Sequence, residues 1–142
     1  MNFEDMLQTS PYSLDKEEKG RFLTERLGEL TEKHRESCPQ YRNMLESAGY
    51  DSQKLCSYKE LPFLPVRLFK ELELRSVPKE EVVKTMTSSG TTGQAVSKIY
   101  LDRVTSANQQ KIMVKIVSDF TASSRMPMII LDCPSVVKNR QM

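Results

Sequence analysis

Cysteine and histidine are scarce in this chain. Three cysteines, Cys38, Cys56 and Cys133, are spread over 142 residues with no C-x-x-C among them. An odd number at wide spacing argues against a disulfide framework and against a structural zinc site. The single histidine, His34, cannot complete a metal site with those cysteines at any local spacing. Charge of one sign is missing too: 21 basic and 19 acidic residues leave a net charge of +2. Nothing in that balance calls for nucleic acid or an anionic membrane as partner. No apolar run approaches the length of a membrane span, and the acidic start MNFEDMLQTS lacks the apolar core of a secretion signal. The expected compartment is a reducing cytoplasm. Internal repeats and low-complexity tracts are absent as well.

What the chain does have is a helical first half. Asp15 followed three residues later by Glu18 forms a capping pair. Phe22, Leu23, Leu27 and Leu30 then recur at helical spacing among Glu, Lys and Arg, which predicts an amphipathic helix over about 15–36. His34 continues that stripe and reads as a partly buried structural histidine. CPQYRNMLESAGY predicts a second, shorter helix, with Pro39 at its first position, an apolar face of Tyr41, Met44, Leu45 and Ala48, and Gly49 at its stop. Cys38 reads as a surface residue on the N-cap side and Cys56 as a loop residue. Pro62 and Pro65 forbid a continuous helix through LPFLPVRLFKELELRSVP. Its apolar residues are expected to pack as an irregular segment on the sheet that follows.

The second half changes character. EEVVKTMTS and SKIYLD are strand-like and predict a hairpin. Asp102 reads as the N-cap of a helix over about 103–121, with Ile112, Met113, Ile116, Val117 and Phe120 on one face. MPMIILDC then predicts a strand, Met128–Leu131, buried on both faces and followed by the inert thiol of Cys133. A helix between two strands implies an α/β fold. The organisation expected is a helical N-terminal segment over 1–59 and the start of an α/β domain over 60–142. No closing helix or second half follows that strand, which leaves either a small complete domain or a piece of a longer polypeptide.

The two hairpin strands are joined by a stretch of unusual composition. Every residue from Thr87 to Gly93 is Ser, Thr or Gly. Gly90 and Gly93 permit close approach of a ligand to the main chain. Thr87, Ser88, Ser89, Thr91 and Thr92 each offer a hydroxyl donor, successive backbone N–H groups in such a turn can form an anion nest, and Lys98 adds a point charge. These are the groups a polyphosphate needs. The loop is no Walker A motif, since Gln94 stands where that motif has lysine, and no G-x-G-x-x-G is present. On composition alone a plain turn and a phosphate cradle both stay open.

The string SSGTTG between strands resembles the phosphate loop of the adenylate-forming superfamily. With LPFLPVRLFKELELRSVPKEEVVKT before it and QAVSKIYLD after it, the region 60–135 looks like the acyl-protein synthetase branch, the long-chain fatty acid ligases of bacterial bioluminescence and their relatives. It is similar, more distantly, to phenylacetate-CoA ligases. The resemblance implies part of an adenylate-forming α/β domain, with ATP and Mg2+ as cofactors. A carboxylic acid, expected to be a fatty acid, would become an acyl-adenylate and pass to a thiol or an acceptor protein. Thr87, Ser88, Ser89, Gly90, Thr91, Thr92 and Gly93 would hold the β- and γ-phosphates. The superfamily usually follows the loop with Pro-Lys-Gly. Here the run is QAVSK, so Lys98 as the loop lysine and Lys98 as an exposed charge at a strand start stand level. The family's adenine, ribose, metal and catalytic-lysine segments have no matching positions in these 142 residues, and the three cysteines match no acyl-accepting position. Two readings follow: the N-terminal part of an ATP-dependent acyl ligase, not competent by itself, or a non-catalytic module that binds a partner protein or a phosphate-bearing ligand.

Overall fold

The computed structural model describes residues 3–88 and 95–122, together with 126, 127, 129 and 131. Among these residues the architecture is mixed: five α-helices, three single 3-10 turns and one two-stranded antiparallel sheet. Helix α1 is Phe3–Gln8, α2 is Lys16–Ser37 and α3 is Pro39–Ser47. Short turns at Ser52–Lys54 and Tyr58–Glu60 lead to the single-turn α4, Leu68–Glu71, and then to a turn at Lys79–Glu81. Strand β1 (Lys84–Thr87) pairs with β2 (Lys98–Leu101), and α5 (Arg103–Thr121) follows directly.

Helix α2 begins where its capping pair predicts. The Asp15 carboxylate accepts from the N–H groups of Glu17 and Glu18 at 2.8 Å each, and Glu18 accepts from the Asp15 N–H at 3.2 Å. Two orphan donors of the first turn and the N-cap's own N–H are thereby satisfied. The far end is closed by the next helix: Arg42 on α3 donates to the carbonyls of Arg35 and Glu36 at 3.0 and 2.8 Å, placing a cation on the negative end of the helix dipole. Helix α3 ends in a Schellman motif. Gly49, at φ +68, lets its N–H reach Glu46 O and the Tyr50 N–H reach Leu45 O, both at 3.0 Å.

Two expectations about the helical half need correction. Cys38 is buried, not a surface residue. It is at once the C-cap of α2 and the N-cap of α3, so its side chain is enclosed where the two helices turn back on each other. The apolar stripe of α2 is also shallower than its periodicity suggests. Phe22 and Leu23 are half-buried and Leu27 and Leu30 exposed, while the deepest residue on the helix is Thr31. Thr31 is sheltered because its hydroxyl donates to Leu27 O at 2.7 Å. Gly28 allows the segment after α3 to come close, since a Cβ there would meet Leu55 at 3.1 Å.

Pro62 and Pro65 do break the chain into an irregular segment. Its residues Leu64, Phe69 and Leu74 face β2 across a shared cavity. Helix α5 matches its expected span, and the Asp102 carboxylate accepts from the Thr105 N–H at 2.6 Å. Its apolar face is only partly covered among the described residues, however. Met113 and Phe120 are 64% and 70% exposed, and α5 carries no buried residue. The N-terminal segment lies against this helix: Ser10 donates to Asp119 at 3.1 Å, Tyr12 meets Phe120 edge to face at 6.2 Å, and Lys111 sits over the Phe3 ring. The buried strand expected at Met128–Leu131 is contradicted where it is described. Ile129 and Leu131 belong to no strand and are exposed, while Met128 and Ile130 lie outside the described residues. The strand–helix–strand unit therefore lacks its second strand among the described residues, and the sheet is the hairpin alone.

Candidate functional site

The hairpin register decides which loop residues meet. Lys84 pairs with Leu101, Thr85 with Tyr100, Met86 with Ile99 and Thr87 with Lys98. Side chains alternate across a strand, so Thr87 and Lys98 stand opposite each other on one face. Both are exposed. One step further, beyond the strands proper, Ser88 and Ser97 continue the ladder. The Ser88 N–H donates to Ser97 O at 3.1 Å, and the Ser97 N–H donates to the Ser88 hydroxyl oxygen at 3.0 Å. Of the residues expected to hold phosphate, the fold thus sets Thr87 opposite Lys98 and engages the Ser88 hydroxyl with the Ser97 N–H. Ser89, Gly90, Thr91, Thr92 and Gly93 lie outside the described residues, as does Cys133. Ser97 had no assigned part in the sequence reading. It is 93% buried by its 7% exposure, and its hydroxyl has no partner among the described residues.

Where the helical half meets the hairpin there is a cavity of about 310 Å³. Lys33, His34 and Tyr41 line it from the helices, Phe69 and Arg75 from the irregular segment, and Tyr100 from β2. His34 is exposed at its rim, yet it bridges the two halves: its Nδ1 lies 2.6 Å from the Ser76 hydroxyl and its ring meets Tyr41 edge to face. The structural role expected of His34 fits this geometry. Partial burial, and then the neighbouring Lys33, hold the imidazole below its ordinary value, which favours the neutral ring. Burial, and then Glu73, push the Tyr100 phenol up.

Two of the charges around the cavity, Arg75 and Asp102, are already engaged. Arg75 donates to Glu73 at 3.1 Å and to Val77 O at 2.7 Å. Asp102 is spent on the cap of α5, and the Thr105 N–H holds its carboxyl below the usual range. No group of three His, Cys, Asp or Glu among the described residues is placed to hold a metal ion. None of Thr87, Ser88, Ser97 and Lys98 lines the cavity. The chemistry that Thr87 and Lys98 can offer is hydroxyl and ammonium donation, which suits phosphate oxygens rather than a cation.

Over residues 2–141 the chain matches the family described as "Acyl-protein synthetase, LuxE". It belongs to that family. It is also similar to a phenylacetate-coenzyme A ligase of Thermus thermophilus, at 30% identity over 127 residues, covering 84% of this chain and 27% of the ligase. This acyl-protein synthetase family member therefore spans about a quarter of the length of that relative. No solved structure matches the chain. Among the described residues no helix is long and apolar enough to cross a membrane.

Sequence reasoning missed three features of this family member: the cavity, the burial of Cys38 and the pairing of Ser97 with Ser88. The last had a legible signal. In a hairpin where Thr87 opposes Lys98, the next residues outward must face one another, and both are serine.

Proposed function

We infer that the chain is the N-terminal part of an ATP-dependent acyl ligase. A carboxylic acid, in this reading a fatty acid, attacks the α-phosphate of ATP and pyrophosphate leaves; a thiol then takes the acyl group from the acyl-adenylate, releasing AMP and the thiol proton. The stretch Thr87–Gly93 forms the loop that cradles the β- and γ-phosphates, with Lys98 beside Thr87 at its base. Holding the phosphates in line for attack is catalysis by positioning and charge stabilisation, which needs donors and no base. Magnesium, when bound, would supply charge neutralisation for the phosphates. The residues described here would supply donors to the phosphate oxygens, and among them no group of three His, Cys, Asp or Glu is placed to hold the ion.

The observation that carries this reading is the family match across 2–141 combined with a hydroxyl-rich loop whose base sets a threonine hydroxyl opposite a lysine. The test is ATP–pyrophosphate exchange driven by fatty or aryl acids, in the protein as its gene encodes it. Ser89→Ala with Thr92→Ala is expected to depress exchange by about 100-fold, the scale of losing preorganised donors. Absence of exchange with every carboxylate tried would overturn the reading.

A further inference from the structure

A serine in a phosphate loop is ordinarily credited with touching phosphate. Ser88 is engaged differently. In a regular antiparallel pair of the hydrogen-bonded kind, two opposed residues exchange both of their N–H···O=C bonds. Ser88 and Ser97 make one such bond, from the Ser88 N–H to Ser97 O. The return bond, from the Ser97 N–H, ends on the Ser88 hydroxyl oxygen. A side chain thus takes the place of a backbone carbonyl on the last rung before the loop.

The position makes that substitution matter. Ser97 is almost fully buried, so its N–H has little access to water if the hydroxyl is removed. An amide left without an acceptor in such a place is costly. Ser97's own hydroxyl offers no visible compensation, being without a partner among the described residues.

We propose that Ser88 is the clasp of the loop, a positioning residue whose hydroxyl fixes the Ser97 N–H, closes the base of the hairpin and acts on the phosphates only through the loop it holds. The proposal rests on the phosphate-loop reading for its catalytic consequence and on the hairpin alone for the clasp.

Two measurements test it in the protein as its gene encodes it. The first is hydrogen exchange read at the Ser97 amide by fragmentation mass spectrometry. Ser88→Ala should speed exchange there by about three- to tenfold, the weight of one hydrogen bond, and Ser88→Thr, which keeps an acceptor in place, should restore protection. Ser97→Ala leaves both bonds of the clasp intact and should not change exchange at that amide. The second is ATP–pyrophosphate exchange. Ser88→Ala should raise KM for ATP by about tenfold with a smaller fall in kcat, and Ser88→Thr should recover most of the loss. Unchanged protection in Ser88→Ala overturns the clasp. Weakened protection with unaltered KM overturns its positioning role, and so does failure of Ser88→Thr to recover KM when it has restored protection. Should the wild-type protein show no exchange with any acid, the ligase reading fails by itself, and amide protection still decides the clasp.

Discussion

The helical half and the hairpin half of this molecule solve the same problem with different completeness. Helices α2 and α3 satisfy their own ends: a capping box at one terminus, Arg42 across the junction, a Schellman turn at the other. Their junction encloses Cys38 and Leu45, which are 2% and 1% exposed. The hairpin and α5 are as well formed locally, with a paired register and an Asp102 cap, but they bury only Leu101 and Ser97 among the described residues. A two-stranded sheet is marginal alone, and most of the large apolar residues of α5 face solvent. Good local signals are therefore not the same as a core. The first half has both; the second has the signals, with Leu101 as its single large buried residue.

The largest difference between the halves should appear on truncation. Leu45→Ala removes a fully enclosed side chain and should cost about 2–5 kcal/mol of stability, read by urea or thermal unfolding. Phe120→Ala removes a larger side chain from α5, yet it should cost less than about 1 kcal/mol, since the ring is 70% exposed and meets Tyr12 at its edge. Equal losses would mean that α5 is covered and that the two halves do not differ in this way. Next in size is Gly49→Ala. The left-handed φ of +68 with open space around the Cβ position makes the cost one of backbone strain alone, about 1 kcal/mol. A neutral outcome would show that the Schellman turn does not anchor α3.

The sequence was most legible where one short-range rule operates without competition. Asp15 with Glu18 and Asp102 fix a helix end through their carboxylates, Pro39 and Gly49 through their backbone, and each lies where it was expected. Burial was less legible, because it depends on what arrives from elsewhere in the chain. Periodicity identified the stripe of α2 and the face of α5, but nothing in either helix says whether a partner covers it; Thr31 proved deeper than Leu27, and Phe120 faces outward. Cys38 was misplaced for the same reason: a cap position is usually at the surface, unless two helices share it. Ile129 and Leu131 have the composition of a buried strand and none of its surroundings. At the site, composition and family resemblance singled out the loop, whereas the division of labour at its base required the register. That register joins Thr87 to Lys98 and Ser88 to Ser97.

The smallest effect separates the halves by pH. His34 joins α2 to the irregular segment, and its folded value lies below the ordinary 6.5, through burial first and Lys33 second. Between the folded value and 6.5 the unfolded chain binds more protons than the folded one, so this contribution is present in full above 6.5 and is lost as pH falls. Asp102 caps α5, and its folded value lies below the ordinary 3.8 because the carboxylate accepts from Thr105. Its contribution is present above 3.8 and lost only at more acidic pH. Lowering pH should weaken the junction of the helical half first and the cap of α5 afterwards. Thermal midpoints recorded from pH 7.5 to pH 3 check the order. His34→Gln keeps a hydrogen-bonding group near Ser76 without the titration and should flatten the slope just below pH 6.5 only. Asp102→Asn, which can still cap a helix, should flatten the slope below pH 4 only. If either variant altered the slope in the other's window, the assignment of these two titrations to His34 and Asp102 would fail.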